Sequence, residues 1–212
     1  MANENTVVLK RFAALATLSD EKIDVAEAAF LIAAAEFPDL DIYRQVELLD
    51  SLAVGASRRI GDGQDTLFRL NTLAEYLFDE VGFKGNQQDY YNPDNSYLNQ
   101  VLSRRVGIPI TLSLICSEVG KRVGIPLMGI GMPGHFLLRH RDETDLFLDP
   151  FHRGILLSIE ECANRLSEVA GGTMAWDPNF LTPVGNRDFV ARILRNLKGI
   201  YCLLYTSDAA DE

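Results

Sequence analysis

Between Gly107-Ile108-Pro109 and Gly124-Ile125-Pro126 the chain has room for one helix and little else. Pro109 suits a first helical turn, where its missing N–H would be unpaired in any case and its fixed φ is already helical. Leu112, Ile115, Cys116, Val119 and Val123 then recur along one side. Gly124 supplies the left-handed residue that ends a helix, and Pro126 prevents continuation. The spacing predicts a central helix over 109–123 with one apolar side.

The period changes after that helix. Short runs at 127–131, 135–139, 146–149 and 155–157 are separated by Pro133-Gly134, by charged residues and by Arg153-Gly154, as strands of an antiparallel meander would be. Before it the chain is helical. Asp24 and Glu27 have capping-box spacing ahead of Val25, Ala28, Ala29, Ile32 and Ala33, and Pro38 closes the run. Val46, Leu49, Ala53, Ala56 and Ile60 mark a second helix, and Leu67, Leu70, Leu73, Ala74, Leu77, Phe78 and Val81 mark a third that ends at Gly82. Three amphipathic helices are therefore expected before residue 85.

Residues 85–93 have no apolar period and read as a surface loop closing at Asn92-Pro93. Asp94 or Asn95 is placed to cap a short helix through Tyr97, Leu98, Val101 and Leu102 that Gly107 ends. Past the strands, Ser158 and Glu161 open a helix to Ala170, and Phe189, Val190, Ile193, Leu194, Leu197 and Tyr201 line a last one from near Asn186. The fold class is α+β: an N-terminal helical region over 1–85, a core over 86–184 in which the central helix packs on a small antiparallel sheet, and the start of a C-terminal helical extension over 185–201.

Charge narrows the partners. The chain carries 30 acidic and 20 basic residues, a net charge of −10, which repels phosphate backbones and anionic lipid, so neither nucleic acid nor a membrane surface is expected. Residues 1–10 lack an export pattern, and no segment approaches the roughly 18 apolar residues of a membrane span. Cys116, Cys162 and Cys202 are widely spaced, with no C-x-x-C pair and no histidine at metal spacing. That usage implies a reducing, cytoplasmic setting and no zinc, and no cofactor is expected.

His135 and Asp149 are the informative pair. If 135–139 and 145–149 form a hairpin about the polar turn from His140 to Asp145, the two residues face each other roughly 5 Å apart at Cβ. A carboxylate there holds one ring nitrogen and leaves the other to accept a proton from a nucleophile. A His/Asp pair also knits strands without any chemistry, and taken alone that is its commoner use.

The stretch Asn95-Ser96-Tyr97-Leu98-Asn99, then Arg104-Arg105-Val106-Gly107-Ile108-Pro109-Ile110-Thr111-Leu112-Ser113, Gly124-Ile125-Pro126, Pro133-Gly134-His135-Phe136-Leu137 and Asp149-Pro150-Phe151 resembles the SirB-type branch of the transglutaminase-like superfamily, over about residues 20–200. The resemblance implies a papain-like core with a Cys starting the central helix, a His on the following strands and an Asp after it. His135 and Asp149 match the last two. The Cys position falls at about Pro109 to Thr111, where none is found. Thr111 and Ser113 are the nearest hydroxyls, and an alcohol needs stronger activation than a thiol. Cys116 lies nearly two turns further in, on the apolar side, and reads as a core thiol.

Other site-edge candidates carry two readings each. Asn99 either lends an amide to an oxyanion site or ties down a neighbouring loop. Tyr97, with Tyr90 and Tyr91, edges a cleft or packs on the surface, and His152 is a second imidazole or an exposed turn residue. In the SirB-type family helical tetratricopeptide-like repeats usually follow, which implies a protein partner. Residues 202–212 drop the helical period, resemble translated adapter sequence and read as a non-native tail. The favoured function is a non-catalytic, regulatory or protein-interaction module; the alternative is a hydrolase or acyltransferase using Thr111 or Ser113 with His135 and Asp149.

Overall fold

In the computed structural model, which describes residues 2–63 and 65–208, the central helix α6 (Pro109–Arg122) starts on its proline, and Gly124 follows it at φ +72. Eleven of its 14 residues are buried, so the helix is enclosed on nearly all sides where the sequence pattern predicted one apolar side. The cause is packing. Helices α3 (Ile42–Ile60) and α4 (Thr66–Ala74) lie against one flank of α6 and the sheet lies against another, so even small polar residues such as Ser113 are covered.

That sheet is the expected meander, with strands β3 (Leu127–Ile130), β4 (Leu137–His140), β5 (Phe147–Asp149) and β6 (Ile155–Leu157) antiparallel in sequence order. Side chains alternate across it, as a period of two requires. Leu138 and Leu148 join the main core with Phe30, Leu49, Leu73, Ile115 and Ile193. Leu137 and Phe147 face the other way, into a smaller cluster with Cys162 and Leu166 of α7 (Ile159–Val169). A separate parallel pair, β1 (Lys84–Gly85) and β2 (Val106–Gly107), ties the start of the expected loop to the entry of α6.

The flanking helices follow local caps. Asp24 accepts from Glu27 N at 2.8 Å to start α2 (Val25–Glu36), and Asp41 and Asp65 start α3 and α4 in the same way. Ser158 and Glu161 form a reciprocal capping box at α7. The third expected helix is α4 continued by a π turn over Glu75–Glu80.

Two details differ from the sequence reading. A helix α1 (Ala2–Ala16) precedes the expected three, with Val8, Phe12 and Leu15 half-buried at helical spacing. In the short helix α5 (Leu98–Arg104), neither Asp94 nor Asn95 is the cap: Asn92 caps a 3-10 turn over Pro93–Asn95, and left-handed Arg105 at φ 58, rather than Gly107, ends the helix.

The last helix, α8 (Asn186–Asp208), runs past Tyr201, and residues 209–212 of the expected tail lie outside the described residues. Its N-terminus is capped from far away: Asp20 accepts from Asn186 N at 3.0 Å and Arg187 N at 2.8 Å. Phe189, Val190, Ile193 and Leu197 join the main core, which therefore draws on all three expected stretches of chain. Among the described residues no helix is long and apolar enough to cross a membrane.

Candidate functional site

His135 is delivered by a turn and not by a strand. Gly134 takes φ +69, which an L side chain adopts only under strain, and His135 N donates to Met132 O at 3.1 Å. β4 begins two residues later, and its register sets Leu138 opposite Leu148. His135 is thus one diagonal step from Asp149, a correction to the facing pair expected from a hairpin centred on residue 142. Diagonal neighbours stand roughly 7–8 Å apart at Cα, still within reach of longer side chains. Nε2 of His135 meets Oδ2 of Asp149 at 2.9 Å, with both residues buried.

Asp149 is the hub. Its Oδ1 accepts from the backbone N–H groups of Phe151, at 3.2 Å, and His152, at 3.3 Å, which fixes the carboxylate at the end of β5. Its Oδ2 faces His135 Nε2, His152 Nδ1 at 2.8 Å and Arg165 Nε at 3.5 Å. Burial pushes the Asp149 carboxyl up, but the hydrogen bonds from His135 and His152, with the charges of both imidazoles, outweigh burial and hold it well below the usual carboxylate range. An ionised carboxylate only accepts, so both ring nitrogens donate to it, and Nδ1 is the His135 nitrogen left with a lone pair in the neutral ring.

Each nearby group can be placed against that ring. His135 lines a cavity of about 310 Å³ with Pro109 and Ile110 from the start of α6, Tyr90 from the preceding loop, and Arg192, Arg195 and Asn196 from α8. A larger cavity of about 650 Å³ beside β3 includes neither His135 nor Asp149. Thr111 is turned away: its buried Oγ1 donates to Asn95 O at 2.8 Å and accepts from Ile108 N at 3.1 Å. Ser113 Oγ donates to Phe136 O at 3.4 Å. Cys116 is fully enclosed and its thiol is pushed far up by burial. Cys162, beneath the sheet, is pushed up to about 12 by burial and then by the Asp149 charge. Cys202 is exposed on α8.

The site-edge candidates divide. Tyr97 is buried away from the cavity, edge-on to Phe37, with its hydroxyl 2.9 Å from that of Tyr201. Asn99 is buried with Oδ1 unpartnered among the described residues, and it does not line the cavity. The loop-tying amide is Asn95: its Nδ2 donates to Asp89 O at 2.7 Å and Tyr90 O at 3.2 Å, and its Oδ1 accepts from Asn86 at 3.1 Å. Asn95 thereby holds Tyr90 at the cavity. The sequence offers Asn95 as a cap and as the start of the family-like stretch, not as a loop tie, and it does not single out Arg192, whose guanidinium donates to Met132 O at 2.5 Å and His135 O at 2.8 Å. Arg192 falls between the apolar positions of an amphipathic helix, and no local pattern singles it out.

The donor atoms of His135, Asp149 and His152 lie within 4.8 Å of one another, a two-histidine, one-carboxylate set of the kind that divalent metals use. The arrangement favours hydrogen bonding over ligation. One oxygen stands at hydrogen-bond distance from both rings, and Arg165 Nε, 3.5 Å away, opposes a second cation. Chemically, the cluster presents an oriented imidazole to a cavity whose α6 wall is a proline and an isoleucine.

Residues 44–195 match the family model described as the transglutaminase-like superfamily. A UPF0162 protein of Xylella fastidiosa (strain 9a5c) is 39% identical over 199 residues, covering 92% of this chain and 71% of that protein. A UPF0162 protein of Pseudomonas aeruginosa is 31% identical over 194 residues, covering 90% of this chain and 70% of its own length. F-box only protein 21 of Mus musculus is 39% identical over 102 residues, which is 44% of this chain and 16% of that protein. No solved structure matches the chain.

Proposed function

Because the chain belongs to the transglutaminase-like superfamily and, within it, to the UPF0162 proteins, we propose that it works as a binding module of the SirB type, regulatory or protein-interacting, and not as an acyl-transfer enzyme. One observation carries this reading: the α6 residues that share the cavity with His135 are Pro109 and Ile110, neither of which has a nucleophilic atom. The nearest hydroxyls support it, since Thr111 and Ser113 are buried and engaged with backbone carbonyls. A fold that serves catalysis elsewhere can keep its shape without its chemistry.

The competing reading, a hydrolase or acyltransferase using a hydroxyl, draws on the His135 ring, which is oriented by Asp149 through Nε2 and has Nδ1 left over. Intact-mass measurement after incubation with a fluorophosphonate and with an activated ester separates the two. No adduct is expected. A stoichiometric adduct on Thr111 or Ser113 that disappears in His135→Ala would overturn the binding-module reading.

A further inference from the structure

α8 brings two arginines to the His135 cavity one turn apart, in a chain whose net charge is −10. Neither has a carboxylate within ion-pair distance among the described residues. Half-buried Arg192 donates to the carbonyls of Met132 and His135 and lies 5.5 Å above the Phe136 ring. Arg195 is exposed, and its side chain makes no hydrogen bond to another described residue. By contrast, half-buried Arg122 pairs with Asp50 and Glu118, and half-buried Arg165 pairs with Asp149 and Glu168.

A sheltered cation without a counter-charge is unfavourable, because carbonyl dipoles replace only part of its hydration. Burial pulls the Arg192 guanidinium below its usual range; Tyr90 opposes the shift, and the like charge of Arg195 adds to it. The opposite wall is the start of α6. Thr111 takes the N–H of Ile108 and Pro109 has none, but Pro109 and Ile110 line the cavity, so the positive end of that helix borders the same space as the arginines. His135, 3% exposed, lines the same cavity beside them.

We infer that the cavity between α6 and α8 is an oxyanion site, taking a carboxylate or phosphate group of a small ligand between Arg192, Arg195 and the start of α6. The planar forks of arginine match both groups in bidentate fashion. The roughly 310 Å³ of space is at the small end of ligand cavities, and the walls of Tyr90, Ile110 and Phe136 suit a short apolar remainder. The inference names the ligand class of the binding module proposed above and rests on that reading.

The test is calorimetric titration of the full chain with inorganic phosphate and, separately, with succinate, each balanced against sodium chloride at constant ionic strength. Saturable binding of at least one anion is expected, weakened about ten-fold in Arg195→Gln, since a charge-assisted bond to an oxyanion is lost. Arg195 holds no other part of the fold, so its variant should melt with the wild type. Arg195→Lys keeps the charge without the fork and should fall between the two. Binding of phosphate alone, of succinate alone or of both supports the site and assigns its preferred group. No saturable binding of either anion, or equal binding by wild type and Arg195→Gln, overturns it. Intact-mass analysis of the same preparation after the fluorophosphonate and activated-ester incubations keeps the readings apart: anion binding with a covalent adduct defeats the binding-module reading alone, and unchanged mass without anion binding defeats the oxyanion site alone.

Discussion

The His135 ring reaches Asp149 diagonally, with Nε2 at 2.9 Å from Oδ2, although the pairing of β4 with β5 sets Leu138 opposite Leu148. The contact depends on side-chain reach and on the turn that carries His135. Asp149→Ala should strand the His135 donor at about 1–3 kcal/mol, with His152 and Arg165 adding to the loss. Urea unfolding of wild type, His135→Ala, Asp149→Ala and the double variant should give non-additive losses. Additive losses would show that the two side chains do not support one another.

Asp149 also sets a direction for pH dependence. Its folded carboxyl lies below the usual range, while the unfolded chain takes up its proton near pH 3.9. Its contribution is therefore fully present above the unfolded value and is lost as pH falls towards the folded one, at up to about 1.4 kcal/mol per pH unit. Melting temperatures taken between about pH 5 and pH 2 should fall more steeply for wild type than for Asp149→Asn. Parallel curves would remove Asp149 as a source of acid lability.

Thiol reactivity should divide by burial. Cys116 and Cys162 are enclosed with thiols pushed up, whereas Cys202 is exposed. Iodoacetamide under native conditions should label Cys202 first, with the other two reacting only on unfolding. Labelling of Cys116 ahead of Cys202 would reopen a cysteine-enzyme reading.

Gly134 should tolerate no side chain. Its φ is +69, and a Cβ there would run into Val169 of α7. Gly134→Ala is expected to cost about 1–3 kcal/mol and to disturb the imidazole beside it. Adding Val169→Ala should relieve the clash and leave roughly 1 kcal/mol of backbone strain. Chemical denaturation, with imidazole nitrogen shifts read by NMR, checks both; wild-type stability in Gly134→Ala would refute the constraint.

What could be read from the sequence was local. Gly124 and Pro109 act within a turn of where they stand, as do the caps at Asp24 and Ser158, so α6, α2 and α7 were legible. α1 was missed although Val8, Phe12 and Leu15 carry its period, because three half-buried positions among exposed Val7 and Leu9 make a faint stripe. His135 and Asp149 were legible as residues but not in register, since a turn's length does not say where pairing starts. Thr111 looked like a spare hydroxyl from its place in the chain, and only the return of Asn95 to α6 shows its occupation. The contacts of Arg192 with Met132 and His135 span 60 and 57 residues, which no window of sequence reports.

The cap that Asp20 places on α8 spans 166 residues, and it imposes an order of assembly. At roughly 5–20 residues per second of synthesis, about 10–30 seconds separate the emergence of Asp20 from that of its N–H partners. Throughout that delay α2 has no α8 against it, and once they have emerged the carbonyls of Met132 and His135 lack the Arg192 guanidinium. The arginine wall is therefore the last part of the cavity to arrive. A nascent chain halted before α8 would hold the imidazole, the carboxylate and the sheet, yet would lack both arginines of the cavity.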